Sequence, residues 1–269
     1  MDAENGTYAP GWTSDAVAMM SSRSADDRAR TVLARLGGVA TVVDVGCGPG
    51  SITLGLARSL AAGGHVLGID AQASQVAVAT ARAARAGVAN ARFEVAPANA
   101  LPCVDNSIDV YFSHALFEHL ADPLGALAEA RRVLRPNGLL VVAASDWSHA
   151  RFDPYTADVE SALAGHRLLR RWAGGDPDAG GRLRRWIDTA GFALESVRST
   201  QRVDLAYTEL AGYIGNRLAT AASTMLDALT PAADARTLLD ALQAARRWQR
   251  SDGTWTQCWT EVVARRRAT

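Results

Sequence analysis

Along the chain, short apolar runs alternate with apolar positions at helical spacing. The first run is Val42, Val43 and Val45, broken only by Asp44; a β-branched run of this length reads as a buried strand. Ile52, Leu56 and Leu60 then recur at helical spacing. Further strands are predicted at 65–70 (HVLGID), 91–96 (ARFEVA), 107–113 (SIDVYFS) and 139–144. Helices are predicted at 26–36, 74–86 and 124–134, the last stopped by Arg135, Pro136, Asn137 and Gly138. Five strands alternating with helices give an α/β fold with a doubly covered parallel sheet. Beyond Ser145 the pattern changes, and residues 146–179 show many Trp, His, Arg and Asp without a strong period. A helix follows at 181–190 and a sixth strand at 192–197. Two or three helices over 205–249, broken near Thr230 and Pro231, precede a final strand at 254–264.

Between the first strand and its helix stand Gly46, Gly48 and Gly50, with Pro49 before the last and Ser51 after it. Glycine suits a turn needing positive φ and a backbone that a ligand must approach closely. Ligands of open α/β sheets sit at the carboxyl ends of the strands, where this turn lies. The plainer reading is a loop that only turns the chain. Asp70 shifts the balance, because it ends the second strand twenty residues after Gly50, at the spacing of an acid that meets ribose hydroxyls. Its plainer role is to start the next turn. A nicotinamide dinucleotide fits less well: its fingerprint puts the third glycine where this chain has Ser51.

Composition narrows the classes further. At 269 residues the chain is long enough for one large domain with a lid. Its 28 basic and 28 acidic residues balance, so neither nucleic acid nor a membrane surface is expected as partner. All the basic residues are Arg, which removes a Schiff-base lysine and the P-loop lysine. Cys47, Cys103 and Cys258 are far apart and form no zinc spacing, pointing to reduced thiols in a cytoplasmic protein without a metal. No signal peptide or run of transmembrane length is read.

Several ordered segments resemble class I S-adenosylmethionine (SAM) methyltransferases of the ubiquinone/menaquinone-methyltransferase-like group. They are VVDVGCGPG at 42–50, GID at 68–70, ALP at 100–102, DNSIDV at 105–110, ALFEHLADP at 115–123 and EARRVLRPNGLLVV at 129–142. YAPGW at 8–12, GDPDAGGRLRRWIDTAGF at 175–192 and the closing WTEVVARR are similar to an actinobacterial branch of that group. The resemblance implies a Rossmann-like, doubly wound seven-stranded sheet, order 3-2-1-4-5-7-6, with an antiparallel last strand and an inserted helical lid. It divides one domain, 1–269, into an N-terminal arm and helix (1–36), a SAM-binding core (37–145) and a substrate-side half (146–269). The lid at about 205–249 serves either as a substrate cap or as a homodimer contact.

Carried onto this chain, the resemblance implies that Asp44, Gly46, Cys47 and Gly48 hold the methionine end of SAM, with Gly50 closing the turn. Asp70, beside Ala71, accepts the ribose hydroxyls. Ala98 and Asn99 cover the adenine, although Pro97 stands where the family often has Asp. Ser113 and His114 flank the transferred methyl. The implied activity is methyl transfer to O, N or C of a small molecule, with S-adenosylhomocysteine (SAH) as product. The alternative is a SAM-binding protein that cyclises or decarboxylates, or has lost catalysis.

Methyl transfer needs alignment and exclusion of water more than acid–base chemistry, and a base only where the acceptor must lose a proton. His114 and Glu118, four apart, are the candidate catalytic pair, with His119 and His149 as further candidates. Tyr8, Trp12, Trp147, His149 and Tyr155 are the candidate substrate contacts. Phe152, Trp172, Trp186, Trp248, Trp255 and Trp259 are read as packing residues.

Overall fold

The computed structural model describes residues 14–36, 41–225 and 232–268. Tyr8, Trp12 and the helix break near Thr230 and Pro231 lie outside them. Seven strands form one sheet in the order β3-β2-β1-β4-β5-β7-β6. They are β1 Thr41–Val45, β2 His65–Asp70, β3 Ala91–Val95, β4 Ile108–His114, β5 Leu134–Asp153, β6 Phe192–Arg202 and β7 Thr254–Arg266. The first five pair in parallel, and β7 runs antiparallel between β5 and β6. This is the order and sense the resemblance implied.

Side-chain alternation assigns β1 to two cores. Val42 joins Val66, Val110, Phe112 and Val141 on one face. There it meets the short helices α2 Ala25–Arg28 and α3 Arg30–Leu33, which follow α1 Ser14–Ser21, and α4 Ser51–Ser59. Val43 and Val45 join Ile69, Tyr111, Leu140 and Val142 on the other face. That face packs on α6 Pro123–Val133 and α8 Ala179–Thr189; α5 Ala73–Arg85 links β2 to β3. Asp122 caps α6 by accepting the Gly125 N–H at 2.8 Å, with Pro123 in the first turn, where its missing N–H costs nothing.

The helix expected at 26–36 is the two short helices α2 and α3, and β6 runs past residue 197 to Arg202; two further elements differ more. β5 does not stop near residue 144 but continues to Asp153, with an irregular register between Asp146 and Arg151. Its outer part is polar, and pairing of Arg151, Phe152 and Asp153 with Thr256, Trp255 and Thr254 supplies the backbone partners that keep it extended. The second is a helix in the stretch that looked aperiodic, α7 Ala157–Trp172, capped by Thr156, whose hydroxyl accepts the Val159 N–H. Its buried face is Val159, Ala162, Leu163, His166, Leu169 and Arg170. The spacing is helical, but His166 and Arg170 occupy core positions and hide the apolar stripe.

Over the carboxyl end of the sheet, α7 packs with α9 Tyr207–Met225 and α10 Ala232–Trp248, and with Trp147 and Trp255 from the β5–β7 arm. Phe152 and Trp248 pack in this lid, edge to face with centroids 5.8 Å apart, as expected from sequence. Gly165 lets α7 approach closely: a Cβ there would lie 2.4 Å from Ala241 Cβ and 2.8 Å from Leu218 Cδ2. Gly165→Leu is therefore expected to destabilise the protein by about 1–3 kcal/mol through overpacking. Urea denaturation checks this, and an unchanged midpoint would contradict the α7–α10 seat.

Candidate active site

The loops after β1, β2, β3 and β4 meet at one end of the sheet. Gly46 and Cys47 both donate their N–H groups to Ile69 O, at 2.8 and 2.9 Å, which binds the first turn to the end of β2. Gly46 has φ +78°, and a Cβ would sit 2.9 Å from Leu116 Cβ. Gly50, at φ +76°, would meet Ala79 and Phe93 at 2.9 and 3.0 Å. Both positions exclude a side chain on conformational and steric grounds. A Cβ at Gly48 would have only Met20 Sδ near it, at 3.6 Å, so this glycine keeps its backbone open to the space above.

Asp70 ties two turns together. One carboxylate oxygen accepts the Gly48 N–H and the other the Gln72 N–H, both at 2.9 Å. Burial pushes its pKa up, and the two N–H groups act against that. Asp44 lies beneath the turn and is 2% exposed, accepting Thr53 Oγ1–H at 2.6 Å. Burial, aided by the charge of Asp70, pushes it up to about 7 against the Thr53 hydrogen bond. Cys47 is pushed well up, by burial and then by Asp44 and Asp70, so its thiol stays protonated and un-nucleophilic.

These turns open on a cavity of about 860 Å³. Gly46, Cys47, Gly48, Asp70, Ala71, Ala98, Asn99, His114, Glu118 and Trp147 all line it. Asp44, Gly50 and Ser113 do not; they form the layer behind the wall, where Ser113 Oγ donates to Val45 O at 2.9 Å. His149 and Tyr155, expected at the substrate, lie outside the cavity. His149 pairs with Asp146 at 2.8 Å, and Tyr155 is 56% exposed. Both lie past Asp146, where the register of β5 against β7 becomes irregular.

His114 is stacked on Trp259, with centroids 4.7 Å apart and planes at 20°. The guanidinium carbons of Arg23 and Arg28 stand 5.6 and 5.8 Å from the Trp259 ring. Burial, then the charges of Arg23, Arg28 and Arg202, hold His114 well below its usual range, so the imidazole is neutral. Glu118 Oε1 accepts the Ser145 hydroxyl at 3.0 Å, while Oε2 has no hydrogen-bond partner among the described residues. Burial raises the Glu118 pKa, with Arg170 opposing most strongly.

Several lining residues were not expected from sequence. Trp255 and Trp259, read there as packing residues, face the cavity, as do Arg23, His166, Arg170, Tyr213 and Gln257. The i, i+2 spacing of Trp255, Gln257 and Trp259 on β7 was the signal that could have placed them on one face. Gln257 Nε2 and Trp259 Nε1 have no hydrogen-bond partner among the described residues.

Comparison with known proteins shows the family and the fold. The family described as "Methyltransferase domain" matches residues 38–191. A probable methyltransferase of Aspergillus luteorubrus is 32% identical over 185 residues, covering 65% of this chain and 64% of that protein. The chain spans about half the length of other curated relatives, with 49% of a ubiquinone biosynthesis O-methyltransferase of Cereibacter sphaeroides matched at 30% identity over 131 residues, 49% of this chain. A solved structure described as "a putative methyltransferase" from Bacillus halodurans superposes with TM-score 0.62 at 16% identity, over 88% of this chain and 98% of that one. At this identity the likeness shows the fold.

The buried Asp44 gives a pH signature. Above about pH 4 the unfolded chain loses this proton, while the folded chain keeps it to about pH 7. Stability from this group is thus fully present at lower pH and lost as pH rises through that window. Relative to Asp44→Asn, the wild type is expected to lose stability between these limits, measured by urea midpoints across pH. A constant difference between the two proteins would contradict the raised pKa.

Proposed function

The chain belongs to the methyltransferase-domain family, and on that premise we propose that it transfers a methyl group from SAM to an O, N or C atom of a small-molecule acceptor. The observation that carries this reading is the open glycine turn joined to Asp70 at the floor of the cavity. Each Asp70 oxygen receives one backbone N–H and keeps a lone pair for a ribose hydroxyl. Donors at that point also relieve the burial that raises its pKa. The residues present therefore fit the cofactor.

Gly46, Cys47 and Gly48 hold the methionine end, Asp70 and Ala71 the ribose, and Ala98 and Asn99 the adenine, with Asn99 in place of an acid at Pro97. Asp44, Gly50 and Ser113 act from behind, fixing the turns the cofactor lies on. When bound, SAM supplies a carbon already activated by its sulfonium. The chain orients the acceptor against that carbon and excludes water with the α7, α9 and α10 lid. The burial of α9 and α10 against α7 supports a cap over a dimer contact.

Glu118 is placed to take the acceptor's proton: its free oxygen is at the wall, and its raised pKa makes it a better base than an exposed carboxylate. Neutral His114 is a second acceptor at the same wall. Trp147 forms part of the acceptor's apolar surface. Tyr8 and Trp12 remain candidates to close over it. The three free thiols suit a reducing, cytoplasmic setting.

Calorimetric titration tests the assignment. SAM and SAH are expected to bind the wild type, and Asp70→Ala to weaken both by about tenfold or more, because hydrogen bonds to a charged group contribute about 1.5–3 kcal/mol. Glu118→Gln is expected to keep SAH binding and to slow SAH formation once an acceptor is supplied. Binding of NAD in place of SAM, or product formed without SAH, would contradict the proposal.

A further inference from the structure

We propose that the acceptor carries an oxyanion, a carboxylate or phosphate, and that the guanidinium of Arg170 binds it inside the cavity. The inference rests on the methyl-transfer reading, since it concerns the acceptor that shares the cavity with the cofactor.

Arg170 is on the buried face of α7, one turn after His166; it is 5% exposed and lines the cavity. Its Nη1 lies 2.9 Å from both ring nitrogens of His119. Its Nε has no hydrogen-bond partner, and it forms no ion pair within 4.0 Å among the described residues. Glu118 feels its charge but bonds to Ser145 instead. A charge is rarely buried without a partner, because its desolvation is then uncompensated. A helix that places arginine on its core face, beside an open cavity, is arranged for a charge that arrives with the ligand.

The surroundings agree. Burial and then Arg170 hold His119 well below its usual range; burial, then Arg217 and Arg170, do so for His166. Both imidazoles are neutral and add no cation to compete for the anion. The planar guanidinium matches an oxyanion through paired N–H groups. Around it, Trp147 lies against His166 at 4.4 Å and beside Trp255 at 6.1 Å, an aromatic surface for a flat apolar body.

The test uses SAH-saturated protein titrated with 2-naphthoate, 2-naphthyl phosphate and the uncharged 2-naphthamide, followed by calorimetry. Wild type, Arg170→Met and Arg170→Lys are compared. At least one anion is expected to bind about tenfold or more tightly than the amide. Arg170→Met should abolish that preference, and Arg170→Lys should keep part of it. The anion that binds better distinguishes a carboxylate acceptor from a phosphorylated one. Without ligand, the unfolding midpoint of Arg170→Met should match or exceed the wild type, since methionine removes a buried charge. Equal affinity for anions and amide, no binding of either anion, a preference that survives in Arg170→Met, or midpoints lowered in both variants would each overturn the proposal. If SAH itself fails to bind, the cofactor reading falls, and the same titrations on the ligand-free protein still decide the role of Arg170.

Discussion

At β1 the sheet changes the direction in which it is wound. β2 and β3 lie to one side and β4 and β5 to the other, and the helices that follow β1 and β4 pack on opposite faces. Chains leaving two adjacent strand ends in opposite directions must leave a crevice between them. The glycine turn, the Asp70 tie, the loop after β3 and the His114 wall all border that crevice. Each is a local answer to one question: how to reach the carboxyl end of a parallel strand without filling the opening. Positive φ at Gly46 and the bare backbone of Gly48 are two such answers.

The chemistry follows from what the crevice excludes. Removing water raises the Asp44, Asp70 and Glu118 carboxyls and depresses His114, His119 and His166. Burial thus makes these carboxylates more basic and these imidazoles less so. The proposed cofactor contacts lie at the strand ends, and the lid adds aromatic surface and Arg170 from the other side. One wall is therefore fixed by the sheet and the other by helices inserted after it. That division lets one framework accept different molecules by changing only the lid.

The first half of the chain was legible because its signals are local. An apolar run, a glycine turn and an acid at fixed spacing each require only neighbouring residues, and β1, β2 and Asp70 were readable on that basis; the strand order came only with the family resemblance. The second half was less so, because some of its polar residues face inward and one stretch of strand is largely exposed. His166 and Arg170 broke the stripe of α7, and the polar outer part of β5 gave no strand pattern. Trp255 and Trp259 looked like packing residues since nothing near them in sequence reveals the His114 stack or the cavity. His149 and Tyr155 stand outside the cavity, past the point where the register of β5 becomes irregular, and such irregularities leave little trace in composition. Where local pattern misled, the residues concerned are mostly those now at the cavity.

Hydrogen exchange with and without SAH tests the central claim most directly. Slowed exchange is expected in peptides spanning 46–50, 70–72, 97–99 and 114–116, the turns at the carboxyl ends of the first four strands, with little change at the opposite strand ends. Protection confined to the opposite end of the sheet, or no protection at saturating SAH, would contradict the placement of the cofactor in this crevice.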